Sequence, residues 1–147
     1  MRVKERASMI KAARAVQGEL KLRDKFSAGD VGAAVLTSKG NIYTGVCIDL
    51  ACGLGFCAEV AAIAEMLKNK ETQIAAVVAV SGSKILPPCG RCRETIAQLD
   101  ARNLGCRVIL SEKRDVSLRE LLPTHWLEGC KNKYPVGKRS GAKGMKK

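Results

Sequence analysis

Aromatic residues are scarce in this chain, and long hydrophobic runs are missing from it. Phe, Trp and Tyr together make up 3% of the 147 residues, whereas hydrophobic residues of all kinds make up 46%. The core must therefore be built from Ala, Val, Ile and Leu. The sequence contains no stripe of aromatic and basic residues of the kind that stacks on single-stranded nucleic acid. It also contains no apolar run of the roughly 20 residues that a membrane-spanning helix needs. The length favours a single domain.

A secretory signal and an even set of cysteines, the marks of a disulfide framework, are also missing. The opening stretch "MRVKERASMIKAARAV" is a charged amphipathic pattern and not a signal peptide. The seven cysteines are an odd number, which leaves at least one thiol without a partner. We therefore expect a cytoplasmic protein whose thiols are free or bound to a metal ion.

Acidic residues are missing from the last part of the chain. Residues 131–147 hold seven Lys or Arg, so residues 1–130 carry only +5 of the net charge of +12. We interpret 131–147 as a basic, flexible, solubilising tail behind a domain of residues 1–130, with no nucleic-acid partner. The alternative, a tail that holds nucleic acid through its charge, stays open.

Helices and buried strands alternate along the sequence. Apolar residues recur at helical spacing over 3–23, which predicts a helix, and 30–51 is typical of a β-hairpin with its turn at 38–41. Beyond the hairpin the sequence predicts a helix over 57–70, a strand covered on both faces over 73–82, a helix over 89–103, a buried strand over 106–112 and a short helix over 117–121. This alternation favours a three-layer α/β domain.

Cysteines stand at the start of both central helices. Cys57 opens the first helix, and Cys89 and Cys92 open the second. If the strands before these helices lie in one sheet, both helix N-termini open at the same end and the three thiols meet. A helix N-terminus lowers the pKa of a thiol. Three thiolates with one vacant position are typical of catalytic zinc, since a structural site is closed by four ligands. Glu59 can then reach the vacant position without being a ligand.

The two cysteine segments belong to a longer pattern that resembles the zinc-dependent cytidine deaminase family. "CAE" at 57–59 and "PPCGRC" at 87–92 match the family's two metal-binding segments. "VGAAVLTSKGNIYTGV" is similar to its first hairpin and "LRELLPTHW" to its C-terminal segment, so the resemblance covers roughly residues 5–127. It implies an α/β/α deaminase fold with a central mixed sheet, one zinc ion per subunit on the three cysteines, and a homo-oligomer, either tetramer or dimer.

The resemblance also implies a reaction. Zinc activates water, the oxygen attacks C4 of a cytosine ring, and Glu59 is the catalytic residue that moves the protons. A cytosine nucleoside or another cytosine-containing small molecule then becomes its uracil form, and ammonia is released. An alternative substrate is blasticidin S or another amino-heterocycle. A different class, a structural zinc or nucleic-acid-binding module, would be supported by a fourth thiolate from Cys47 or Cys52.

The residue after "CAE" departs from the family pattern. Many members carry an arginine there, which softens the charge of three thiolates, but this chain has Val60. Arg91 lies inside "CGRC", and we predict that it takes over the charge compensation. An aliphatic residue after "CAE", together with "PCGRCR", is similar to blasticidin S deaminase, a relative that acts on a cytosine-containing antibiotic.

The predicted substrate contacts depart from the family pattern as well. Alignment on "TGV" places Cys47 and Asp49 at the positions of the family's sugar-binding Asn and Glu. A thiol lacks the donor and acceptor pair of an amide, whereas Asp49 can still accept a hydroxyl. Phe26 is the aromatic residue nearest to the family's base-pocket Phe, and Trp126 falls at its C-terminal aromatic. We predict these four residues as substrate contacts.

Overall fold

Seven strands form one mixed sheet, and helices pack against both of its faces. The structure, a computed structural model, describes residues 1–130. Its helices are α1 (Val3–Val16), α2 (Ala58–Lys68), α3 (Gly90–Leu99), α4 (Leu118–Leu121) and α5 (Trp126–Gly129). Its strands are β1 (Leu20–Lys21), β2 (Ser27–Thr37), β3 (Ile42–Asp49), β4 (Ile74–Ser81), β5 (Lys84–Leu86), β6 (Arg107–Ile109) and β7 (Asp115–Ser117). Short 3-10 turns occupy Ala51–Gly53 and Ala101–Gly105.

The order of the strands decides where the helices begin. β2 pairs antiparallel with β3 on one side and with β4 on the other, and β4 pairs in parallel with β6. β5 folds back antiparallel onto the end of β4, while β1 and β7 extend the sheet at β2 and β6. Because β3 and β4 are each antiparallel to β2, they run in the same direction and end at the same edge of the sheet.

Alternating side chains of the central strands build two aliphatic cores. Ala34 and Val78 pack with Met9 of α1 on one face of the sheet. Their neighbours in sequence point to the opposite face, where Val35 packs with Met66 of α2. Aromatic side chains are absent from the fully buried core of residues 1–130, as the composition predicts. The three-layer arrangement expected from the sequence is therefore confirmed.

Several predicted boundaries are wrong, and tertiary contacts explain the largest error. The helix predicted over 3–23 ends at Val16, because the chain beyond it runs alongside β2 and pairs with it as β1, with Leu20 opposite Ala28. The Gly18 N–H donates to the Gly29 carbonyl oxygen at 2.9 Å, and a Cβ on Gly29 would lie 2.1 Å from the Gly18 oxygen. α3 ends at Leu99, short of the predicted 103, and β6 is three residues long.

The sequence pattern missed several short elements, and one of its predictions falls on residues that the structure does not describe. β1, β5, β7 and α5 were not predicted, since each has only two to four residues and shows no measurable period. The predicted basic tail at 131–147 lies outside the described residues. Within residues 1–130, every helix is too short or too polar to cross a membrane.

Candidate metal centre and substrate cavity

The loop after β3 turns back along its own strand and delivers Cys57 to the edge of the sheet. Phe56 and Ile48 exchange two backbone hydrogen bonds of 3.0 Å each, so the loop is pinned one residue before Cys57. A Cβ on Gly55 would lie 2.4 Å from the Ile48 carbonyl oxygen, a distance that only glycine permits. Cys57 is then the N-cap of α2.

The β4–β5 hairpin delivers the other two thiols to the same edge. β5 runs back along β4 until Leu86 lies opposite Ala79, and two prolines then lead into α3. Cys89 is the N-cap of α3, and Cys92 lies in its first turn. Residues three apart share one face of a helix, so both thiols point the same way. The sequence argument that the two helix N-termini open together is correct.

The three thiols form a cluster of the size that a zinc ion requires. The Sγ atoms of Cys57 and Cys89 lie 3.6 Å apart, as do those of Cys89 and Cys92, and all three lie within 4.8 Å of one another. A tetrahedral ion with Zn–S bonds of about 2.3 Å separates its sulfurs by about 3.8 Å. The spacing of the three thiols therefore fits a zinc ion. Cys47 and Cys52 are not part of this group.

Burial opposes the ionisation of these thiols, contrary to the simple helix-dipole expectation. Burial raises the pKa of Cys57, and it raises the pKa of Cys92 far above its usual range. The pKa of Cys89 alone is lowered: burial acts against the shift, but hydrogen bonds from Cys92 and Cys57 outweigh it. A cation that binds here has to displace protons, as is usual for thiolate metal sites.

Glu59 is a buried carboxyl beside the three thiols. It lies in the first turn of α2 with 5% of its surface exposed, and it lines the same cavity as Cys57 and Cys89. Burial raises its pKa, although a hydrogen bond from its own backbone N–H and one from the Cys92 thiol oppose the shift. A carboxyl with raised proton affinity can take up a proton and return it near neutral pH.

A cavity of about 530 Å³ opens beside the thiols, within the usual range for small-molecule sites. Three further predicted residues line it, namely Cys47, Asp49 and Arg91, and Phe56 supplies an aromatic wall that was not predicted. Phe26 and Trp126 are not among the residues of 1–130 that line it, so Phe56 is the aromatic residue on this side of the pocket. Its place directly before Cys57 was the signal that sequence reasoning overlooked.

Cys47 has a structural contact in addition to its place in the cavity. The Val31 N–H donates to the Cys47 Sγ at 3.2 Å, at a bulge where the pairing of β2 with β3 shifts between Ala28 and Gly32. The sulfur thus accepts a hydrogen bond that a regular ladder would give to a carbonyl oxygen. The bulge also brings Asp30 into the cavity wall.

The fold is a mixed sheet between helical layers. Three thiols lie at two helix N-termini, and a buried carboxyl faces the cavity beside them. Together these features define the class of zinc-dependent hydrolases that activate water. The profile of the cytidine and deoxycytidylate deaminase zinc-binding region matches residues 4–108. The chain belongs to the cytidine and deoxycytidylate deaminase family, and it is a zinc-dependent aminohydrolase. The predictions of family, fold class and zinc cofactor are confirmed.

Individual relatives agree with this assignment. The cytidine deaminase of Halalkalibacterium halodurans is 30% identical over 102 residues, which is 67% of this chain and 77% of that protein. A cytidine deaminase of Mycobacterium tuberculosis is 32% identical over 100 residues, 67% of this chain and 73% of that one. The crystal structure of cytidine deaminase from Burkholderia pseudomallei has a TM-score of 0.66 at 28% identity, covering 82% of this chain and 98% of that chain.

Proposed function

We propose that this protein deaminates a free cytosine nucleoside, or a small molecule that carries a cytosine ring, to the uracil form with release of ammonia. The observation that carries the proposal is the three-thiol cluster facing a cavity in which Glu59 is buried. The curated relatives described above are cytidine deaminases, which supports this substrate class.

In the proposed mechanism, Cys57, Cys89 and Cys92 hold the zinc ion, and Glu59 moves protons. Zinc bound by three thiolates supplies the Lewis acidity that makes water nucleophilic near neutral pH. The Glu59 carboxylate accepts a proton from the attacking water while the water oxygen bonds to ring C4. Glu59 then passes that proton to ring N3. Glu59 then transfers the remaining hydroxyl proton to the C4 amine, which leaves as ammonia while the C4 carbonyl forms.

The wall of the cavity supports a nucleoside over a nucleotide as substrate. Asp30 and Asp49 line it, and among the described residues Arg91 is the one basic residue that does so. Two carboxylates repel a phosphate group and attract a hydroxyl or a cation. The same charges favour blasticidin S or a similar amino-heterocycle with a positively charged substituent as the second candidate. Arg91 stays our proposed charge compensation at the zinc site.

Ammonia release across a panel of substrates tests the proposed function. We expect turnover of cytidine or deoxycytidine, with kcat/KM for deoxycytidylate lower by about tenfold or more. A contact between like charges costs on the order of 1 to 4 kcal/mol near a protein surface, and about 1.4 kcal/mol is a factor of ten in rate. Cytosine, blasticidin S and 3′-deoxycytidine complete the panel. A site with Cys47 in place of Asn should discriminate weakly against 3′-deoxycytidine. Discrimination of about 10³-fold would mean that other residues hold the ribose, and no ammonia from any cytosine compound would refute the function.

We propose that the protein is a homo-oligomer, a tetramer or a dimer, in a reducing compartment such as the cytoplasm. Assembly would bury large apolar side chains that a single chain exposes, including Leu54 at 71% and Trp126 at 54%. Since Trp126 does not line the cavity of its own chain, any contact with substrate would have to be made across a subunit boundary. Light scattering of the purified protein measures the number of chains. The location follows from the need to keep the three thiols reduced.

We also propose that residues 1–130 form the deaminase domain and that the basic tail takes no part in the chemistry. The composition of 131–147 offers almost no apolar surface to bury. Truncation after Cys130 should therefore leave kcat/KM nearly unchanged in the ammonia assay. A large loss would show that the tail contributes to a pocket, in its own subunit or in a neighbour.

A further inference from the structure

The guanidinium group of Arg93 links the metal-binding loop to the C-terminal part of the domain. Its Nε–H donates to the Pro88 carbonyl oxygen at 2.8 Å, and its Nη1–H donates to the Leu121 carbonyl oxygen at 3.0 Å. Pro88 directly precedes Cys89, and Leu121 is the last residue of α4. Arg93 itself directly follows Cys92, so the contact joins both ends of the metal-binding segment.

The loop that leads to Cys89 has little means of fixing its own position. Pro87 and Pro88 contribute no backbone N–H, so this stretch cannot donate a hydrogen bond to a neighbouring strand. A hydrogen-bond donor has to come from another part of the chain. The Nε–H of Arg93 is this donor, and the Pro88 carbonyl oxygen accepts its hydrogen bond. The Leu121 carbonyl, at a helix C-terminus, likewise lacks a partner within its helix, and Arg93 satisfies it as well.

The next residue along α3 makes a second link to the same region. The Glu94 Oε1 accepts a hydrogen bond of 2.8 Å from the backbone N–H of Trp126, the first residue of α5. Consecutive residues of α3 therefore hold both ends of the segment 121–126. The C-terminal segment is thus attached to the helix turn that carries Cys92, and not only to the sheet.

We propose that Arg93 is a positioning residue that sets the geometry of the three-thiol site by clamping the Pro88 carbonyl, with the C-terminal segment 121–126 as its support. One planar guanidinium spans two carbonyl groups in fixed directions, which a lysine ammonium on a flexible stem does not reproduce. Partners that hydrogen-bond directly to metal ligands are worth about 10–100-fold in metal affinity or activity. Arg93 holds the residue next to the ligand Cys89, and we expect an effect on this scale. The inference rests on the three thiols being zinc ligands and does not depend on which cytosine compound is the substrate.

Zinc release and the cobalt spectrum of Arg93 variants test the inference without relying on turnover. Arg93→Ala should release zinc to a chelator about 10–100-fold faster than the wild type, and Arg93→Lys should show a smaller acceleration. The Co²⁺-substituted variants should show shifted thiolate-to-metal and ligand-field absorption bands. Arg119→Ala removes an exposed arginine from α4 and should behave like the wild type in both measurements.

The outcomes separate this inference from the zinc assignment itself. If Arg93→Ala does not fold, Arg93→Lys decides, because it keeps the charge and the length of the side chain. Release rates and cobalt spectra of the folded Arg93 variants that match Arg119→Ala would overturn the positioning role while leaving the deaminase function intact. A wild type that binds no zinc would overturn both. Glu94→Ala, which removes the contact to Trp126, should accelerate release as well if the C-terminal segment supports the clamp.

Discussion

Glu59→Gln should leave zinc content and fold intact and lower kcat by about 10²–10⁴-fold, the range for removal of an acid–base group. Glutamine has nearly the shape of glutamate, so the buried position with 5% exposure stays filled. An amide cannot accept the proton of the attacking water or return it to the ring nitrogen. Measurement of kcat with cytidine, together with zinc analysis of the same sample, checks the prediction.

A control on the same helix separates the proton-transfer role from a general effect on α2. Glu65 lies in α2 and accepts a hydrogen bond from the Thr44 N–H at 3.1 Å, away from the cavity. Glu65→Gln keeps an acceptor oxygen for this contact, so its kcat should stay near that of the wild type. If Glu59→Gln turned over cytidine as fast as Glu65→Gln, Glu59 would not be the proton shuttle.

Replacing Cys89 with Ala should remove the bound metal and with it essentially all deaminase activity. The Cys89 sulfur lies 3.6 Å from the Cys57 sulfur and 3.6 Å from the Cys92 sulfur, so Cys89 contacts both other members of the cluster. Two thiols alone do not complete the three-ligand set of a catalytic zinc site. Zinc analysis after dialysis should fall from about one ion per chain to near zero.

The matched control for this prediction is a cysteine outside the cluster. Cys130 is half-buried and does not belong to the metal-binding group, so Cys130→Ala should retain zinc and activity. Retention of one zinc ion by Cys89→Ala would show that the metal is held elsewhere. The absence of zinc from freshly purified wild type would refute the ligand assignment altogether.

Local patterns were sufficient to predict that the three thiols meet, because the distances that matter are short along the chain. Cys89 and Cys92 are one helical turn apart, and Glu59 follows Cys57 by two residues, so each half of the site is set by a helix start. The halves meet because β3 and β4, both antiparallel to β2, run in the same direction and end at the same edge of the sheet. The pKa of Cys57 is raised by burial and not lowered as the helix start predicts. The extent of burial depends on packing between distant parts of the chain, which a local sequence pattern does not contain.

The substrate side of the cavity was harder to predict, because it depends on contacts between distant parts of the chain. Phe56 enters the cavity wall through a bridge to Ile48, and the bulge that brings in Asp30 is fixed by the Cys47 sulfur. Neither contact produces a periodic pattern in the sequence. The early end of α1 has the same origin, since the approach of Gly18 to Gly29 is visible only once the chain is folded.

The position of the thiols also means that a bound ion would act as a cross-link within the chain. Cys57 and Cys89 lie 32 residues apart, and α2, β4 and β5 lie between them. A covalent link that closes a loop of this length stabilises the folded state by roughly 4 kcal/mol through chain entropy. β5 is held to β4 by only three paired residues. Removal of the ion should therefore loosen β5 and the loop that leads from it to Cys89, and limited proteolysis of the metal-free protein should cut there sooner than in the zinc-bound protein.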